Sequence, residues 1–232
     1  MRLSKGLFVP LILFAILSVS CMDFFTNSLA GWAVRDPENL VPRVNAGNIH
    51  EILEAFQNDP DASLVILRRI RDAQNGATPE ELLILQSAAL EAAINSAGLL
   101  NSILGTTTNL NNIDDEDSAK SMILDSIDGM KNLDASSALL REILPEPGTQ
   151  AFDDFAAASD PNYLAMTAAL LVAGEAKRQS SDDLEGFVDN FSDKPKTPTE
   201  ELAMAMAEAA MAHPDELSDQ FADALRGLNL VS

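Results

Sequence analysis

Apolar residues recur along this chain at the three- and four-residue intervals of an α-helix, and no stretch sustains the two-residue alternation of a half-buried strand. Ile49, Ile52, Leu53 and Phe56 share one stripe while Glu51 and Glu54 lie opposite, the pattern of a helix with one face in a core. The same periodicity predicts helices near 25 to 35, 48 to 58, 60 to 74, 79 to 104, 116 to 131, 134 to 144, 150 to 158, 161 to 178, 182 to 191, 198 to 212 and 215 to 226. Helix starts carry capping chemistry, in which a side-chain oxygen accepts from orphan backbone N–H groups and proline presets φ. Asn48 with Glu51, Thr78-Pro79 with Glu81, and Thr197-Pro198 with Glu200 have capping-box spacing, and Asp59-Pro60 and Asp160-Pro161 start helices without the box. Gly76 and Gly105 stand where helix ends take a left-handed residue.

Three predicted helices are apolar over most of their circumference. Within 79 to 104, Glu80, Ser87, Glu91, Asn95 and Ser102 form a narrow polar stripe, and Leu83, Ile84, Leu90, Ile94, Leu100 and Ile103 occupy the other faces. Tyr163 to Ala173 and Leu202 to Ala212 behave alike, and their many Ala and Met residues permit close axes. Helices of this kind must be surrounded by others. The expected fold is all-α with no sheet, about 8 to 11 helices in which amphipathic elements wrap central ones, as a multi-helix bundle or a degenerate helical repeat. Ala55 to Pro60, Ala156 to Pro161 and Ala209 to Pro214 share the closing spacing of a tetratricopeptide unit. Their offsets of 101 and 53 residues do not fit its period of about 34, which excludes a strict array.

The N-terminus has a different pattern. Arg2 and Lys5 precede an apolar run of twelve residues, Gly6 to Leu17, and then Ser18-Val19-Ser20-Cys21. That run is short of the roughly 20 residues a membrane-spanning helix needs and has the order of a cleavable export signal. The small residue Ser20 before Cys21 resembles a bacterial lipoprotein lipobox, in the relaxed form of spirochaete lipoproteins, with Leu17 four rather than three residues before the cysteine. The resemblance implies cleavage after Ser20, acylation of Cys21 by fatty chains such as palmitate, and a membrane partner reached through the lipid. Met22 beside the cysteine implies the outer membrane or cell surface, with the inner membrane still open. Asp36-Pro37-Glu38-Asn39-Leu40-Val41, with Asp59-Pro60-Asp61, is also faintly similar to helical lipoproteins associated with periplasmic TRAP-type transporters. The expected organisation is a signal over 1 to 20, a tether and docking helix over 21 to 47, and an acidic helical domain over 48 to 232, with a candidate sub-domain break near 145 to 149.

Composition narrows the functions. The 232 residues hold 36 Asp+Glu against 15 Lys+Arg, a net charge of −21, and loss of Arg2 and Lys5 with the signal makes it −23. Such an excess repels phosphate backbones and argues against nucleic acid as a partner. One Cys and two His supply neither an internal disulfide nor the usual zinc ligands. The sequence lacks G-x-S-x-G, G-x-G-x-x-G, a P-loop and H-E-x-x-H, so neither an enzyme nor a cofactor is expected.

Few residues remain as candidate sites. Asp114, Asp115 and Asp117 offer oxygens for calcium, but an EF-hand frame from Asn112 puts Asp117 at the glycine position and Ile123 at the bidentate glutamate, so no metal is assigned. Arg68, Arg69 and Arg71 are the one dense basic cluster and could meet an acidic partner or an anion, although a helix C-terminus also favours cations. Met204, Met206 and Met211 could line an adaptable apolar groove or lie in the core. His50 reads as a surface residue, and His213 as a helix-end residue suited to the dipole. Phe25, Leu29 and Trp32 share a face suited to docking or to a membrane interface. The expectation is a lipid-anchored interaction or scaffold protein of the cell envelope with a protein partner. The alternative is a transporter-associated periplasmic protein that binds a small apolar ligand between its central helices.

Overall fold

The computed structural model describes residues 36–99, 130–179, 186–187, 191 and 197–231. Every regular element among them is helical, and the protein is all-α. One short helix, α1 (Pro37–Leu40), belongs to a unit spanning Met1–Leu40. Its turn is held by Asp36, whose side chain accepts from the Glu38 N–H at 3.1 Å.

The other unit, Val41–Ser232, contains eight helices among the described residues: α2 (Ile49–Phe56), α3 (Pro60–Ala73), α4 (Pro79–Ala97), α5 (Leu133–Ile143), α6 (Gln150–Ala158), α7 (Pro161–Arg178), α8 (Pro198–Met211) and α9 (Asp219–Gly227). The segment 145–149 is a connection inside this unit. Predicted helices 25 to 35, 116 to 131 and 182 to 191 lie wholly or mainly outside the described residues, as does Gly105.

Local chemistry sets most of the boundaries. Thr78 and Glu81 make a reciprocal capping box, with the Thr78 N–H donating to Glu81 Oε2 at 2.8 Å and the Glu81 N–H donating to Thr78 Oγ1 at 3.3 Å. Thr197 and Glu200 repeat it at 2.7 and 3.3 Å. Asp59 accepts from the N–H groups of Asp61 and Ala62, and Asp160 from that of Asn162. Asn48 does not form the expected box. Its amide turns back to the preceding loop, accepting from the Asn45 N–H and donating to the Arg43 carbonyl, both at 2.9 Å. Helix α4 stops at Ala97 rather than near 104 because Gly98 takes φ +71°, a left-handed conformation that glycine enters without a Cβ clash. Helix α9 begins later than 215, after a turn in which the Glu216 and Leu217 N–H groups donate to the His213 carbonyl.

Helices α4, α7 and α8 form the interior that their apolar circumference requires. Helix α7 packs most extensively on α8 and also meets α4, α5 and α9; α3 and α4 form an antiparallel pair through the short connection 74–78. Leu140, Phe155, Leu164 and Ile94 are among the wholly buried side chains, each contributing about 1.5–3 kcal/mol by leaving water. Two positions on α4 depart from the sequence pattern. Ile84, on an apolar face of the sequence pattern, is 38% exposed, and Asn95, on its polar stripe, is buried. A stripe drawn around a nearly all-apolar helix has weak directionality, so neighbouring helices decide which edge is covered.

Small polar groups stitch these helices together. Ser96 and Ser136 share a hydrogen bond of 2.5 Å between α4 and α5, and Ser87 meets Ser159 at 3.1 Å between α4 and the end of α6. The Ile143 carbonyl, at the end of α5, accepts from Gln74 at 2.9 Å and Gln86 at 3.4 Å. Orphan carbonyls at a helix terminus are thereby satisfied by two neighbouring elements.

Candidate functional site

Helix α8 positions the main candidate site. Its inner face, Leu202, Ala203, Met206, Ala207 and Ala210, is buried against the rest of the unit. Turned away from that face, Met204, Glu208 and Met211 follow one another at i, i+4 and i+7 and so share a stripe of the helix. The chain returns to this stripe after α9, where Leu228 and Leu230 are buried and Val231 is half-buried. Met204, Glu208, Met211, Asn229, Leu230 and Val231 line an open groove of about 640 Å³. The two thioethers and Val231 give it apolar surface, and exposed Glu208 and Asn229 give it polar surface. Thioether side chains are flexible enough to refit to different apolar shapes.

The methionines anticipated from the sequence therefore divide. Met204 and Met211 line the groove, whereas Met206, at 0% exposure, is core. Sequence reasoning missed Glu208, Leu230 and Val231. The signal for Glu208 was its place midway along the Met204–Met211 stripe; Leu230 and Val231 come to the site only by tertiary folding.

Within the basic cluster, Arg71 is engaged inside the fold. Arg71 donates to Asp72 at 2.9 and 3.0 Å and to Glu142 at 3.3 Å, tying α3 to α5. Hydrogen bonding to Asp72 first, and then to Glu142, raises the guanidinium's pKa further. Arg68 is exposed and Arg69 half-buried on the same helix. His50 lies exposed on the first turn of α2, and His213 lies exposed beyond the end of α8. Ser20, Cys21, Phe25, Leu29, Trp32, Asp114, Asp115 and Asp117 lie outside the described residues. Among the described residues no three His, Cys, Asp or Glu side chains are grouped to hold a metal, and no helix is long and apolar enough to cross a membrane.

Two acidic positions are electrostatically unusual. Glu175, the only acid on α7, is 1% exposed and grips Arg178 through both carboxylate oxygens, with the Gln179 amide donating at 2.9 Å. Burial alone would raise its pKa, but hydrogen bonds from Arg178 and Gln179 and the Arg178 charge together hold it below the ordinary value. The Gln179 amide also reaches buried Glu200 at 3.4 Å, so one side-chain amide bridges two carboxylates where α7 ends and α8 begins. Every strong donor in the cluster is engaged within the fold, which makes it a clasp between helices. Glu91, half-buried on α4, is pushed up by burial and pulled back by His50. Tyr163 on α7 is raised by burial and then by Glu91 and Asp160.

Among the described residues, the central helices meet through side chains closed to solvent. Ala89, Ala92, Ala93 and Ile94 of α4, Ala168 and Leu171 of α7, and Ala203 and Ala207 of α8 are wholly inaccessible to solvent, which leaves no water-sized void against them. No protein-family model, curated protein or solved structure matches this chain.

Proposed function

We infer that this chain is an exported, lipid-anchored protein whose helical body presents a protein-binding surface at the cell envelope. The observation that carries the binding half is the open groove on α8 beside described alanines that are closed to solvent. Apolar area that a partner can reach lies at the surface, and the described alanines of the central helices have no water-sized void against them. This contrast favours an interaction protein over the enclosed-ligand alternative. The attachment half rests on the basic start at Arg2 and Lys5, the run Gly6 to Leu17, and Ser20 before the chain's one cysteine. A single acyl chain holds a protein to a membrane only marginally, so stable tethering requires more than one at Cys21. The acidic excess keeps the body away from anionic headgroups, so lipid and surface serve separate tasks.

Labelling cells with a radioactive or clickable fatty acid tests the attachment. The native chain is expected to take up label and sediment with membranes, and Cys21→Ala to do neither. A Cys21→Ala chain that still incorporates label at membranes overturns it. Crosslinking in intact cells tests the binding half: a specific protein adduct is expected through groove positions, and adducts spread evenly over the surface count against it.

A further inference from the structure

Resting on the reading of this chain as a partner-binding protein, we propose that the α8 groove receives one amphipathic helix of a protein partner, with bulky apolar anchors flanked by Lys or Arg. Met204 and Met211 stand seven residues apart on one stripe, about 10 Å along the axis. That is the spacing at which a docking helix sets anchors at i, i+3 or i+4, and i+7. Leu230 and Val231 stand on the opposite side, so apolar side chains occur on both sides of the groove, with Glu208 and Asn229 among them.

Charge selects the flanks of that helix. Glu208 lies between the two methionines, and Glu201 continues the helical spacing toward the start of α8, both exposed. Residues 197 to 231 contain seven acids and one arginine, and that arginine, Arg226, donates to Asp223 at 2.7 Å. An entering helix with basic flanks meets carboxylates on arrival; an acidic one is repelled. The same argument disfavours two other occupants. A second copy brings a net charge of −21 against this face, and the segment 22 to 35 of this chain carries one acid, Asp23, and one base, Arg35, so it brings no net positive charge to Glu208.

The test titrates the full-length chain, held in nanodiscs of zwitterionic lipid, against a fluorescent synthetic helix of about five turns, with leucines at the anchor spacing and lysines on the flanks. Empty discs are the blank and a scrambled peptide of equal composition is the control. If Cys21 proves not to be acylated, the titration is done on the chain free in solution, so failure of the anchor and failure of the groove read separately. Saturable binding is expected, weakened about five- to tenfold by Glu208→Lys and unchanged by Glu80→Lys at the exposed start of α4. Met204→Gln is expected to weaken it with the peptide's charge unchanged. Equal binding of the scrambled peptide, or equal effects of Glu208→Lys and Glu80→Lys, overturns the proposal. So does self-association abolished by Glu208→Lys, or peptide binding that appears only when residues 22 to 35 are deleted, because each names a different occupant. Glu208 is exposed, and circular dichroism of its variant is expected to match the parent; Glu208→Gln gives the same sign with a smaller change.

Discussion

Asn162, in the first turn of α7, holds the backbone of Ser218, accepting from its N–H at 3.0 Å while donating to the Glu216 carbonyl at 3.1 Å. One side-chain amide thus fixes the loop that launches α9, and α9 in turn delivers Leu230 and Val231 to the groove. Asn162→Ala is expected to cost about 1–3 kcal/mol in urea unfolding, since two backbone groups lose their partner. Hydrogen exchange should accelerate first in residues 216 to 231. Asn162→Asp keeps the acceptor and should recover part of the loss. Uniform exchange across the molecule in Asn162→Ala counts against this role.

At Gly174 helices α5 and α7 lie close together. A methyl group there would overlap Ser137 Oγ and come within 3.1 Å of Ser137 Cβ. Gly174→Ala is therefore expected to destabilise the fold by about 1–3 kcal/mol, despite alanine's better helix propensity. Adding Ser137→Ala removes the overlapping hydroxyl and should restore part of the stability, a positive coupling measurable in a double-mutant cycle.

The Glu175–Arg178 pair should respond unequally to loss of either partner. Arg178→Ala leaves a carboxylate buried with Gln179 and Thr197 but no cation to serve it, whereas Glu175→Gln leaves an arginine free to turn to water. The arginine substitution is expected to destabilise more. Because the folded Glu175 pKa is depressed, its stabilisation is complete above the unfolded carboxylate value of about 4.3 and is lost as pH falls through the folded value. Stability of Glu175→Gln should accordingly depend less on pH in the acid range than that of the native protein.

Glu91 has the opposite sign. Its folded pKa is raised by burial, so between the unfolded and folded values the native state holds the extra proton and stability falls as pH rises. Glu91→Gln is expected to stabilise the protein at neutral pH, with the gain shrinking as acidification neutralises the native side chain as well. The chain has one tyrosine, so ultraviolet titration reports Tyr163 alone. The same substitution should lower the Tyr163 pKa without returning it to the ordinary value, because burial outweighs Glu91 as the cause.

Local chemistry was readable wherever it is self-contained. The ends of α6 and α7, and the boxes at Thr78 and Thr197, follow from side chains that cap their own helix. Two local signals were passed over, since Asn48 bonds to the loop just before it and Gly98 ends α4 seven residues short of the apolar pattern. Elsewhere a distant element decides, as where Met206 enters the core while Met204 and Met211 do not. Half of the groove was hidden for the same reason: α9 must fold back before Leu230 reaches α8. Glu175 gave a usable signal, a lone acid on an apolar helix with arginine three residues on.

The alanine-lined contacts of α7 with α4 and with α8 also bear on how this fold responds to heat. Alanine has no rotamers to freeze, so ordering these positions costs backbone entropy alone. Each also removes less apolar surface than leucine would, and the heat-capacity change of unfolding scales with that surface. The central layer should consequently contribute a flatter dependence of stability on temperature than a leucine-filled layer of the same size.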